Sequence, residues 1–145
     1  MIINTIGFTK TSAKDFFGRL EKAKVKRVID VRLKLDSQLS GFAKGKDLPF
    51  FLERICGISY MHEPLLAPTD DVLRAYKKKN LDWSSYEAGY LNLLSVRGVE
   101  SRLDSSVFED SCLLCSEHMP HQCHRRLAAE FLSRKWGGDV KIVHL

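Results

Sequence analysis

Apolar residues along the chain follow two periods, and the two alternate. Met1–Ile6 and Val25–Val31 are short, β-branched and close to continuously apolar, as strands covered on both faces tend to be. Between them Ala13, Phe16, Phe17, Leu20 and Ala23 recur at helical spacing, with Ser12 and Asp15 at capping-box separation. A strand, a helix and a strand in this order predict a right-handed parallel crossover and exclude a simple hairpin. Asp47 then caps an apolar helix that Gly57 ends, and Ile58–His62 reads as a third strand. Thr69 caps a helix running to Lys79. Asp82 opens a longer one to about Val96, with Trp83, Tyr86, Tyr90, Leu93 and Leu94 at core spacing. Ser111–Ser116 is the fourth strand, Pro120–Trp136 the last helix, and Val140–Leu145 the fifth strand. The alternation predicts one α/β domain over residues 1–145, a three-layer Rossmann-like fold whose mostly parallel sheet of about five strands is flanked by helices.

Length and charge change this picture little. The 145 residues suit a single core, and the formal charge of +5 at pH 7 favours an anionic partner such as a nucleotide or nucleic acid. The N-terminus lacks the pattern of a signal peptide, and no apolar run is long enough to span a membrane. These features predict a cytoplasmic protein without a membrane partner, whose four cysteines are free thiols. The stretch from Arg32 to Lys46 has no clean period and carries Arg32, Lys34, Lys44 and Lys46. It reads as a mobile basic loop, either a nucleic-acid contact or a solvated connection. The run Lys77-Lys78-Lys79 is accounted for by the negative end of its own helix. Trp83, Tyr86 and Tyr90 are candidates to stack a base, but an aromatic stripe at this spacing is first of all core.

The chemistry gathers in residues 112–126, which hold three of the four cysteines and three of the five histidines. Cys112-x-x-Cys115 invites a zinc reading. In a strand, however, residues three apart point to opposite faces, so both thiols cannot grip one ion without a break. Cys112 is therefore assigned to the core. Cys115 lies at the carboxyl end of its strand, where parallel sheets carry their ligand crevice, and Glu117 follows in the turn. Cys123 is expected in the first turn of the last helix, where the dipole favours a thiolate. His124 shares a helical face with Leu127, Ala128 and Phe131 and should look inward, within reach of Cys115 or Glu117. Three readings stay open. Cys115, Cys123 and His124 bind a metal, with Glu117 as a fourth ligand, although the spacing is not a standard one. Alternatively a cysteine is a nucleophile with His124 as base and Arg125 as anion holder. Or all are structural. The cysteine-phosphatase signature is missing, since six residues after Cys115 stands His121 rather than arginine.

Asp30 and Arg32 form a second constellation. Asp30 is a charge at the end of an apolar strand and needs a partner, which Arg32 or a helix terminus could supply. Two apart on an extended backbone, both point to one side. The pair is either a structural ion pair or faces the same crevice as Gly7 and Glu117. In the second case Arg32 would fork onto a phosphate or carboxylate, and Asp30 would act as a base or hold a ribose hydroxyl.

Thr5-Ile6-Gly7-Phe8-Thr9, Ile29-Asp30-Val31-Arg32, Gly41-Phe42, Tyr60-x-His62-x-Pro64 and Leu114-Cys115-Ser116-Glu117 with Cys123-His124-Arg125-Arg126 together resemble the domain of unknown function 488 family. The resemblance implies a Rossmann-like α/β domain of unestablished activity. It carries over Asp30, Cys115, Glu117, Cys123 and His124 as candidate catalytic positions, and Thr5, Gly7, Arg32 and Arg125 as candidate anion- or ligand-binding ones. It names no cofactor and assigns no metal. Pro64–Thr69 depart from the Pro-Glu-Leu-Gly-Gly run of many relatives. The function these readings favour is an enzyme or ligand-binding domain acting on a nucleotide or nucleic-acid-derived anion at the carboxyl ends of the strands. The rivals are a non-catalytic nucleic-acid-binding or regulatory module and a structural Cys/His metal protein.

Overall fold

Five strands form one fully parallel sheet: β1 (Ile2–Gly7), β2 (Arg27–Asp30), β3 (Ser59–His62), β4 (Ser111–Cys115) and β5 (Lys141–His144), in the order β3-β2-β4-β1-β5. The computed structural model describes residues 1–36, 40–77 and 82–145. Alternate residues of each strand feed two cores. Ile3, Ile29, Leu113 and Cys115 face one, and Ile6, Val28, Cys112 and Leu114 face the other. This confirms the separation of Cys112 from Cys115 and makes the fold a three-layer α/β sandwich.

One layer holds α1 (Ala13–Lys22) and α2 (Leu48–Phe51), the latter running on as a wider π turn over Leu52–Cys56. Ser12 caps α1 as its spacing predicts, accepting the Asp15 amide at 3.1 Å. Gly57 ends the π turn in the left-handed region, at φ 64°, which glycine adopts without strain. The other layer holds α3 (Asp70–Lys77), α4 (Trp83–Arg97), the short α5 (Val99–Arg102) and α6 (His124–Trp136). The helix expected through Lys79 is described as far as Lys77; Lys78 and Lys79 lie outside the described residues. No helix among the described residues is long and apolar enough to cross a membrane.

Two expectations change. The last helix starts at His124, not near Pro120, and Cys123 is its extended N-cap residue at φ −142°, ψ 138°. Pro120 disfavours a helical residue before it. The His121 carbonyl, which a longer helix would have used, is instead taken by Arg126, and Arg125 donates to the carbonyls of Glu117 and His118 in the preceding turn. The basic stretch after β2 is also more closely packed than a solvated connection over its described parts. Arg32 and Ala43 are buried, a 3-10 turn spans Gly41–Ala43, and the Gly45 amide donates to the Leu35 carbonyl at 2.6 Å.

Strand order decides where a crevice opens. The chain leaves β2 toward the β3 edge over one face. It leaves β4 across β1 toward the β5 edge over the other. Adjacent strands whose exits diverge leave a gap beyond their carboxyl ends.

Candidate functional site

A cleft of about 290 Å³ lies beyond the ends of β2 and β4. Its floor is Cys115 at the end of β4, Cys123 at the α6 N-cap and His124 in the first turn of α6. Arg32 and Lys34 on the segment after β2 form one wall, and Tyr76, Trp83 and Tyr86 from α3 and α4 form the opposite one. Glu117 and Asp36 complete the lining at its exposed rim. A volume of this size is at the small end of ligand sites, enough for one compact molecule rather than a polymer.

The floor is a tight cluster. The two sulfurs are 2.6 Å apart and both residues are 2% exposed. One ligand atom from each of Cys115, Cys123 and His124 lies within 4.8 Å of the others. Nε2 of His124 meets the Val31 carbonyl at 2.9 Å, and Tyr90 packs its ring edge-on at 5.6 Å. A carbonyl can only accept, so Nε2 carries a proton, and in the neutral imidazole Nδ1 is then the lone-pair nitrogen. Burial raises the cost of ionising either sulfur, but the hydrogen bond from Cys123, with His124 and Arg125 nearby, holds the Cys115 thiol well below the usual range. Burial and the shared hydrogen bond push Cys123 well above it. The inward orientation of His124 and its reach to Cys115 agree with the helical spacing. The helix-start position expected for Cys123 becomes a cap without a capping hydrogen bond.

Arg32 and Asp30 are joined as an ion pair. Nε and Nη2 of Arg32 fork onto the two Asp30 oxygens at 2.9 and 2.7 Å, and the Arg32 amide adds a third bond at 3.2 Å. The Tyr60 hydroxyl donates to the same carboxylate at 2.7 Å, and Nη2 also reaches the Ala43 carbonyl. Asp30 is wholly buried and outside the cleft lining. Nη1 of Arg32 is different: it is buried and has no acceptor among the described residues. Leaving a buried donor unmet costs about 1–3 kcal/mol.

Arg125, Thr5 and Gly7 lie on the far side of β4, also outside the cleft lining. Arg125 is 0% exposed and donates to Thr5 Oγ1, to the carbonyls of Glu117 and His118, and to Cys123 Sγ at 3.5 Å. Thr5 Oγ1 shares a further bond with His144 Nδ1 at 2.7 Å. Among the described residues no carboxylate is within ion-pair distance of Arg125. Gly7 is roofed by the turn after β4, since a Cβ there would sit 1.6 Å from the Glu117 carbonyl oxygen. These three residues therefore shape the turn that carries Glu117.

The matching family model spans residues 12–132, most of the chain, and its description is Domain of unknown function DUF488. The chain belongs to the DUF488 family. No curated protein and no solved structure matches it. Within this DUF488 chain the matched span holds the ion pair, the cleft floor and Arg125, while β1 with Thr5 and Gly7 lies before it. Sequence reasoning missed Tyr60, Tyr76, Asp36 and Gln122. One signal was present: Asp36 stands two residues beyond Lys34 and four beyond Arg32 in the same short segment, and all three line the cleft, as does Leu33.

Proposed function

We propose that the cleft binds a mononucleotide-sized ligand, a flat ring carrying hydroxyls and at least one anionic or carbonyl oxygen, and acts on it through the Cys115–Cys123–His124 cluster. The observation that carries this reading is Arg32, a cleft-lining arginine whose Nη1 lacks an acceptor among the described residues. A ligand oxygen would supply it, and a charged one would gain most. The cationic lining residues Arg32 and Lys34 are matched in number by Asp36 and Glu117. Recognition therefore rests on placed groups rather than bulk charge, with the carboxylates taking ligand hydroxyls. Trp83 and Tyr86 lie nearly parallel, centroids 5.3 Å apart at 26°, and extend into Tyr76 at 4.8 Å. A wall of this kind accepts a ring by stacking.

In this reading Glu117, exposed at the mouth, is the group free to move a proton. Asp30 is occupied and positions Arg32; Thr5, Gly7 and Arg125 position Glu117 and Cys123. Calorimetry and thermal shift test the proposal with a nucleoside, its monophosphate and inorganic phosphate. The monophosphate should bind most tightly, and Trp83→Ala should weaken it by about 1–3 kcal/mol, the usual worth of base stacking, with folding intact. Absence of any shift with nucleosides and nucleotides sinks the reading. Steeply salt-dependent binding to bulk RNA, without mononucleotide binding, would move the function to the surface.

A further inference from the structure

We propose that Cys115, Cys123 and His124 form a metal centre of the zinc type, with three protein ligands and a fourth position open to the cleft. This goes beyond the ligand reading above and does not depend on the ligand's identity.

Three observations carry it. First, the donor set is right. Two sulfurs and an imidazole, each buried and within 4.8 Å of one another, select zinc or ferrous iron over magnesium or calcium. Second, one ring nitrogen of the histidine is held by a backbone carbonyl, the outer contact that metal-bound histidines use. Its Nε2–H is spent on the Val31 carbonyl, which leaves Nδ1 as the lone-pair donor. Third, the sulfurs have outer partners of the kind thiolate ligands use. Arg125 Nη1–H points at Cys123 Sγ, and among the described residues no carboxylate lies within ion-pair distance of Arg125.

Coordination number follows from placement. The cluster holds three donors, and Glu117 is not among them, although it lines the same cleft. A site with three protein ligands and an open position matches the catalytic pattern rather than the closed four-ligand structural one. Two thiolates neutralise a divalent ion. An anionic fourth ligand, a hydroxide or an oxyanion of the cleft's ligand, then leaves one negative charge facing the buried Arg125. A neutral disulfide would give Arg125 no such partner.

Loading the ion widens the sulfur pair. Zinc–sulfur bonds of about 2.3 Å at a tetrahedral angle put the sulfurs about 3.7 Å apart, roughly 1 Å wider than they stand. Cys123 is the extended N-cap of α6 and its carbonyl accepts the Arg126 amide at 3.2 Å, a backbone bond that turning its side chain leaves in place. Binding forms two metal–sulfur bonds and one metal–nitrogen bond, and the thiol protons pass to buffer.

The test uses the full chain, reduced and stripped of metal, with no nucleotide present. Cobalt(II) is titrated as the probe. The proposal expects one ion per chain, with thiolate-to-cobalt charge transfer in the near ultraviolet and tetrahedral bands in the visible, both lost in Cys123→Ser. Zinc(II) should displace cobalt and slow alkylation of Cys115 at least tenfold in the unmodified protein. That second arm decides the matter even if Cys123→Ser fails to fold. Cys56→Ala, which removes a thiol outside the cluster, should leave both readouts unchanged. Cobalt binding without a charge-transfer band, or Cys115 alkylation indifferent to zinc, overturns the centre. Nucleotide binding by a protein that takes up no metal overturns the centre and leaves the ligand reading standing.

Discussion

Two buried arginines stand on either side of β4, and they are held in opposite ways. Arg125 meets a hydroxyl, two carbonyls and a sulfur, with no carboxylate among the described residues. Arg32 is forked onto Asp30, yet its Nη1 has no acceptor among the described residues. The first arrangement is a closed brace that uses the guanidinium to fix backbone. The second is a clamp neutralised by Asp30, with one nitrogen still unused. A buried charge is thus not by itself a binding group; what matters is whether its donors are already used.

Breaking the clamp from behind should have the largest effect. Asp30→Ala strands the Arg32 charge in the core, and urea unfolding should show a loss of about 3–5 kcal/mol. Arg125→Met should come next, at about 3 kcal/mol by the same measurement, since it leaves buried carbonyls unmet. It should also free the turn after β4, read as faster hydrogen exchange at residues 116–118. If Asp30→Ala is milder than Arg125→Met, the contrast drawn between the two sites is wrong.

Gly7→Ala pushes a methyl into the Glu117 carbonyl. A cost of about 1–3 kcal/mol is expected, together with loss of any activity that needs Glu117 in place. Tyr60→Phe is the finer probe of the clamp. It removes one hydrogen bond to the Asp30 carboxylate and should cost about 1.5–3 kcal/mol.

Alkaline titration sharpens the same point. Burial, then the Asp30 charge, raises the Tyr60 phenol above its ordinary value, and burial raises Cys112 above its own. Both folded values lie above the unfolded ones, so their contribution is complete below the unfolded values of 9.0 and 10.0 and is lost as pH climbs past them. Melting temperature should fall steadily above about pH 9, and less steeply in Tyr60→Phe. An equal slope in that variant would show that Tyr60 ionises as freely folded as unfolded.

Much of this was legible in residue order. The period of two separated Cys112 from Cys115 before any coordinates, and the period of 3.6 turned His124 inward beside Leu127 and Ala128. Ser12 and Asp82 announced their helices and cap them, accepting amides at 3.1 and 2.8 Å. The turn from Ser116 to Cys123 was less legible, because its conformation is fixed by Arg125 and Arg126 reaching back to carbonyls. A propensity argument sees a proline and a helix and joins them too early. Tyr60 was overlooked for a related reason. It meets Asp30 only because β3 pairs with β2 in the register that sets Asp30 beside His62.

The sequence by itself determined the alternation of strands and helices, the parallel sheet, the two-sided burial of β4 and the family. Those follow from local periods, caps and the hydrophobic effect, which act on neighbours along the chain. Only the tertiary structure decided that Arg32 borders the cleft while Arg125 lies outside it, that Thr5 meets a residue 120 positions away, and that three donors from two elements share one point. Strand order and register bring those groups together, and they are settled by packing the whole sheet at once.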